Sequence, residues 1–160
     1  RGTLGGSIAN NDPAADYPSA IVALNAKVNT SRREISGDEF FTGMFATALE
    51  EGEIVTSVGF QIPKRAGYAK FPNPASRYAV VGVFVADFNG SIRVAVTGAG
   101  PCVFRHEGLE TVLADSFTPA AAKRIEISPE GLNTDLHATA EYRAHLINVM
   151  AARAVEAALD

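Results

Sequence analysis

The sequence predicts an α+β fold in which a small antiparallel sheet is followed by a helical end. Phe88-Asn89-Gly90-Ser91 is a tight-hairpin signal, because Asn and Gly tolerate the positive φ angles of a primed two-residue turn. On one side of it, Tyr78 to Ala86 is apolar on both faces, as in a buried strand. On the other side, Ile92, Val94 and Val96 alternate with Arg93, Ala95 and Thr97, the pattern of a strand covered on one face. From about Thr139 to Leu159 alanine is abundant, and Tyr142, Leu146, Val149 and Met150 recur at helical spacing. Thr139 suits the N-cap and Glu141 the positive end of that helix.

The remaining elements follow in chain order. Gly2 to Pro18 is small and turn-rich, and reads as a loop that wraps something. Ala20 to Leu24 is compact and apolar; periodicity leaves a short helix and a buried strand both open. Leu24, Ala26 and Val28 share a face, and Asn29-Thr30-Ser31 turns the chain into Arg32 to Ile35, which predicts a hairpin. Ser36-Gly37-Asp38-Glu39 predicts a helix start, with Phe40, Phe41, Met44 and Phe45 on one apolar face. Glu53 to Ile62 predicts a strand stopped by Pro63. Pro63, Gly67, Pro72, Asn73 and Pro74 break regular structure, so a domain boundary is expected within residues 63–76. Gly108 to Leu113 and Pro119 to Ile125 predict short helices, and Thr97-Gly98-Ala99-Gly100 a turn.

Composition excludes several function classes. The 160 residues are 47% hydrophobic and 20% charged, which is globular rather than disordered. The formal net charge is −4 and the basic residues are scattered, so neither a nucleic-acid stripe nor a polybasic membrane patch is present. No apolar run approaches the ~18 residues of a membrane span. The single cysteine, Cys102, supports neither an internal disulfide nor an iron–sulfur cage. It reads as a structural thiol, although His106 follows four residues later. His106, His137 and His145 lack the companions of a metal site and read as surface or capping residues. The start, Arg1-Gly2-Thr3-Leu4, has neither an initiator Met nor an apolar signal core and reads as an internal cut.

The segment richest in chemistry is Thr3-Leu4-Gly5-Gly6-Ser7-Ile8-Ala9-Asn10-Asn11-Asp12-Pro13-Ala14-Ala15-Asp16-Tyr17-Pro18. Adjacent glycines let backbone amides approach an anion without an intervening Cβ, and several such amides form a nest. Thr3 and Ser7 add hydroxyls, and Asp16 adds an acceptor for a ligand hydroxyl. This string resembles the second flavin-binding motif in the FAD-binding (medium) subunit of the molybdenum hydroxylases, the carbon monoxide dehydrogenase and xanthine dehydrogenase family. The resemblance puts Thr3, Gly5, Gly6 and Ser7 at the FAD diphosphate and Asp16 close to the flavin. Ser7 stands where the family often has Asn, and keeps a hydrogen-bonding group of shorter reach.

Three other stretches resemble the same family. Glu53-Ile54-Val55, before a strand ending at Ile62-Pro63, makes Val55 an apolar neighbour of the ring. Gly67-Tyr68-Ala69-Lys70-Phe71 nominates Lys70 as a flavin contact and Tyr68 beside it. Asp135-Leu136-His137-Ala138-Thr139-Ala140-Glu141-Tyr142-Arg143-Ala144-His145-Leu146 resembles the start of the family's last helix, with Asp135, Glu141 and Arg143 ordering that start. The family's earlier Gly-rich segment, upstream of residue 1, supplies the other wall of the site.

The resemblance thus implies residues 1–64 as the end of a FAD-binding α/β domain. Residues 65–160 would be the subunit's carboxy-terminal domain, a small antiparallel sheet with a helical segment. It implies a cytoplasmic oxidoreductase component that relays electrons from iron–sulfur clusters through FAD to an external acceptor. Its partners would be a molybdenum-containing large subunit and an iron–sulfur small subunit. FAD is expected in the full-length protein and weakly or not at all in this stretch alone. No residue is expected to act as catalytic acid, base or nucleophile, and no metal ligand is expected. The other reading is a flavin-free docking module.

Overall fold

The computed structural model describes residues 2–160. The chain begins with two short helices, α1 (Leu4–Asn10) and α2 (Tyr17–Ala23). The expected loop over Gly2 to Pro18 is therefore helical over about half its length, and Asn11 to Asp16 remains a loop. Thr3 caps α1 by accepting a hydrogen bond from the Gly6 amide at 3.0 Å. Ile8 is fully buried beneath it. The cap and the buried side chain outweigh the ~1 kcal/mol per glycine that a helix interior loses relative to alanine. Asn11, at φ 45°, ends the helix in the left-handed region. Ala20 to Ala23 resolves as helix, with Leu24 as its C-cap.

β1 (Lys27–Thr30) and β2 (Glu34–Ser36) form the expected hairpin, with Val28 opposite Ile35. β5 (Val55–Gly59) pairs on the other side of β1, so the sheet order is β2-β1-β5. β5 is shorter than the expected strand over 53–62. The helix expected from Ser36 stops after one turn, α3 (Gly37–Phe40). Ser36 does cap it, but Phe41 turns extended and the chain continues as a small hairpin, β3 (Phe41–Gly43) with β4 (Ala46–Thr47). The reason is tertiary. The Asn11 amide donates to the carbonyls of Gly43 and Ala46 at 2.7 and 2.8 Å, clamping a tight turn. Phe40 is buried, whereas Met44 and Phe45 are more than half exposed at the tip.

The expected break at 63–76 instead contains an eight-residue strand, β6 (Arg65–Pro72). It lies at the sheet edge, and Pro72 is its last residue, where the missing amide is tolerated. Gly67 is needed because a Cβ there would collide with the backbone of Ala154 in the last helix. β6 opens a four-stranded antiparallel sheet, β6-β7-β8-β9, with β7 (Ala79–Phe88), β8 (Ser91–Thr97) and β9 (Phe104–Arg105). Asn89 and Gly90 take φ of 58° and 101°, as the hairpin signal required. β8 is covered on both faces in its second half rather than on one. Ala95 and Thr97 are fully buried because α2 packs on Ala95 and the Pro13–Ala15 segment covers Thr97.

The other face of the sheet carries α4 (Glu107–Asp115), α5 (Pro119–Ala122) and α6 (Ala140–Ala157). Thr139 caps α6 as expected. Its buried face is centred on Ile147, Met150, Ala151 and Ala154, and Tyr142 lies on the exposed side of the anticipated stripe. The main apolar core sits between this helix and β7-β8. A second core lies under α1, α2 and β1. Val22 and Ala23 of α2 pack against Ala95 and Val103, joining the two halves.

Candidate functional site

The Asp12 to Asp16 string is bolted to the larger sheet. The Gly98 amide donates to the Pro13 carbonyl at 2.7 Å, and the Ala79 amide to the Ala14 carbonyl at 3.1 Å. The Thr97 hydroxyl lies within reach of the carbonyls of Pro13 and Ala15, at 3.0 and 2.7 Å. Ser19 donates from its side chain to the Asp16 carbonyl at 2.6 Å. Asp16 stands at the start of α2 but its carboxylate does not cap that helix. It is turned instead toward β6.

There it meets two residues that alternate on one strand face. The Tyr68 hydroxyl donates to Asp16 Oδ1 at 2.5 Å, and Lys70 Nζ to Oδ2 at 2.7 Å. The carboxylate and the ammonium neutralise each other. Burial pushes the Tyr68 hydroxyl far above the ordinary phenol range, and the Asp16 carboxylate adds to the shift, so Tyr68 remains a protonated donor. Ser7, Asp16 and Lys70 line a cleft of about 510 Å³, flanked by Tyr17, Arg77 and Tyr78.

The other candidates gather in a second cleft of about 260 Å³. Thr3, Gly5, Gly6 and Val55 line it together with Leu49 and Glu53. A Cβ on Gly5 would come within 3.6 Å of Val55, so Val55 backs this turn of α1. The expected open nest is a first helical turn, with consequences for its amides. The Gly6 amide is taken by Thr3 Oγ1 and the Ser7 amide by the Thr3 carbonyl, each at 3.0 Å. Helix geometry leaves only the earliest amides without an intrahelical acceptor. Glu53, at the floor, accepts from the Thr30 hydroxyl at 2.6 Å, the Glu50 amide at 2.8 Å and Arg33 Nε at 3.2 Å. These bonds, led by that of Thr30, hold its carboxyl down at about 2.

The structure therefore brings seven of the eight nominated residues into two clefts, to both of which α1 contributes, and sets the eighth, Tyr68, behind Asp16. Sequence reasoning missed Gly82. It pairs with Lys70 across β6-β7, and a Cβ there would overlap the Tyr68 hydroxyl and lie 2.9 Å from Thr97 Cγ2. A lone glycine inside the apolar run Ala79-Val80-Val81-Gly82-Val83 was the available signal, since such a residue marks close approach. Tyr17, Arg77 and Tyr78 were also missed as cleft residues.

The remaining candidates have structural roles. His106 caps α4 by accepting from the Leu109 amide. His137 pairs with the Asn73 side chain, and His145 is exposed. Cys102 is half-buried rather than buried, and burial raises its thiol. Among the described residues no group of three or more His, Cys, Asp or Glu is placed to hold a metal ion. No helix there is long and apolar enough to cross a membrane.

Comparison with known proteins bears on the same segments. Residues 1–65 match the family model described as the FAD binding domain in molybdopterin dehydrogenase. The nicotine 6-hydroxylase medium subunit of Paenarthrobacter nicotinovorans is 36% identical across 97% of the chain. The chain's homologues are thus medium subunits of molybdenum hydroxylases. A second relative is the carbon monoxide dehydrogenase medium chain of Hydrogenophaga pseudoflava, 29% identical over 99% of the chain. The reconstituted CO dehydrogenase of Oligotropha carboxidovorans superposes with a TM-score of 0.80 at 27% identity, over 98% of the chain and 60% of the matched protein. The chain spans about 60% of the length of the curated relatives it matches.

Proposed function

We propose that this chain is the FAD-holding later part of a molybdenum hydroxylase medium subunit, in which FAD relays electrons from iron–sulfur clusters to an external acceptor. The observation that carries the reading is the meeting of Asp16 and Lys70, 54 residues apart in sequence and 2.7 Å apart in space, in the same cleft as Ser7.

The donor set suits a molecule with two unlike ends. At the smaller cleft Gly5 and Gly6 leave the backbone uncovered beside the Thr3 hydroxyl, which suits a diphosphate, and Val55 offers an apolar contact. At the larger, Asp16, Lys70 and Ser7 offer donors and acceptors to a polar ring edge or a ribityl hydroxyl, with Tyr68 behind the carboxylate. Bound FAD supplies the redox chemistry, and the chain's residues bind and orient it. This division of labour requires no acid, base or nucleophile from the chain.

The activity proposed is that of an oxidoreductase component of a carbon monoxide, xanthine or aldehyde type of dehydrogenase, in the cytoplasm. Its partners are a molybdenum-containing large subunit and an iron–sulfur small subunit. The domain division we propose falls near residue 64, with residues 1–64 completing the FAD-binding domain and 65–160 forming the carboxy-terminal one. The two larger apolar cores, one on each side of that point, support it, with the Val22, Ala23, Ala95 and Val103 cluster bridging them.

One observation favours the flavin-free docking module instead: the Gly6 and Ser7 amides already have acceptors in Thr3. Flavin content separates the two. The medium subunit, purified with its partner subunits, should carry stoichiometric flavin absorption, and Lys70→Met should weaken retention by about tenfold or more, the scale of one charge-assisted hydrogen bond. A complex that assembles with no flavin at all overturns the FAD reading in favour of the docking module.

A further inference from the structure

The Tyr68 hydroxyl lies between Asp16 and β7, and the backbone of β7 makes the space for it. Gly82 lies opposite Lys70 in the β6-β7 register, and any side chain there would overlap the Tyr68 hydroxyl. Phe84, opposite Tyr68, packs beside its ring with centroids 6.0 Å apart. Ring and hydroxyl are thus held from two sides, and the hydroxyl's single hydrogen goes to Asp16 Oδ1. Tyr68 is not among the residues that line the cleft, whereas Asp16 and Lys70 are.

We propose that Tyr68, seated over the notch at Gly82, is a positioning residue: it locks the Asp16 carboxylate so that Asp16 and Lys70 face the cleft as one neutral unit. This rests on the flavin reading above and moves Tyr68 from ligand contact to the support behind it. A unit with no net charge, spare N–H donors on Lys70 and spare lone pairs on Asp16 selects a neutral edge carrying both a donor and an acceptor. It discriminates against a phosphate, which Asp16 would repel. The diphosphate then belongs to the Gly5-Gly6 cleft and the uncharged end of the ligand to this one.

A double-mutant cycle tests this in the assembled complex, with flavin affinity measured by apoprotein titration. Tyr68→Phe keeps the ring and should weaken flavin binding by about tenfold while the unfolding midpoint stays close to wild type. In an Asp16→Asn background the same change should have little further effect, because Tyr68 acts through Asp16. Equal losses in both backgrounds would mean that Tyr68 touches the flavin itself and would overturn the proposal, as would no loss in either. Phenol titration by ultraviolet absorbance on the chain without flavin supplies an independent arm. One of the four tyrosines should resist ionisation, and Asp16→Asn should bring it down. If no flavin binds to wild type, the cofactor reading falls alone, and an Asp16→Asn variant with an unchanged phenol curve would sink the positioning role.

Discussion

The guanidinium of Arg143 closes on the carboxylate of Asp135 at 2.7 Å, from a side chain 4% exposed to one 45% exposed. Its other terminal nitrogen donates to the carbonyls of Val80 and Gly98 at 2.6 and 2.9 Å. One side chain on α6 therefore fastens the helix to the start of β7, the turn after β8 and the loop before Thr139. Asp135 in turn accepts from the His137 and Ala138 amides, shaping that loop.

Arg143→Met is expected to destabilise the chain by about 2–4 kcal/mol, because two buried carbonyls and a carboxylate lose their donor together. Arg143→Lys should recover only part of this, since an ammonium lacks the planar fork that serves both sides. Urea unfolding of the three proteins checks the order.

Glu53 ties acid stability to the Thr30–Glu53 region. Its folded carboxyl, at about 2, lies below the usual value near 4.5. Its contribution is therefore fully present above about pH 4.5 and is lost as pH falls from there toward 2. Glu53→Gln should flatten the acid limb of a plot of urea midpoint against pH in that window, leaving the neutral region otherwise parallel.

Gly67 tests the packing of β6 under α6. A Cβ there would lie 2.8 Å from the Ala158 amide nitrogen and closer still to the Ala154 carbonyl oxygen, and neither can rotate away. Gly67→Ala should destabilise by about 1–3 kcal/mol through overpacking. Gly59→Ala, where no atom lies within 4 Å of the added Cβ, is the matched control and should stay near wild type in a thermal melt.

Asn11 tests the hairpin clamp. Asn11→Gly keeps the left-handed backbone but strips the two bonds to Gly43 and Ala46. It should lower stability by about 1–3 kcal/mol and speed limited proteolysis between Gly43 and Thr47. Equal cleavage rates in the two proteins would show that the turn holds without the amide.

Legibility varied with the range of the forces involved. The Asn89-Gly90 hairpin, the capping threonine of α6 and the buried run of β7 were readable because local backbone preference and burial agree there. The string from Thr3 to Asp16 was readable as a motif but not as a conformation. Two glycines favour a loop locally, and only the Thr3 cap and the burial of Ile8 turn the stretch into a helix. The helix expected through Phe45 failed for the converse reason. Its apolar spacing was adequate, but Asn11, 32 residues away from Gly43, imposes a turn.

By itself the sequence determined the fold class, the likeness to molybdenum hydroxylase medium subunits and the candidate site residues, because motif strings and periodicity are properties of neighbours along the chain. Tertiary structure alone decided that these residues divide between two clefts, that Asp16 is spent on Tyr68 and Lys70 rather than on a helix cap, and that Gly82 had to lack a side chain. Those outcomes depend on which strands lie side by side and how closely their backbones approach, and no spacing in a single chain encodes that distance.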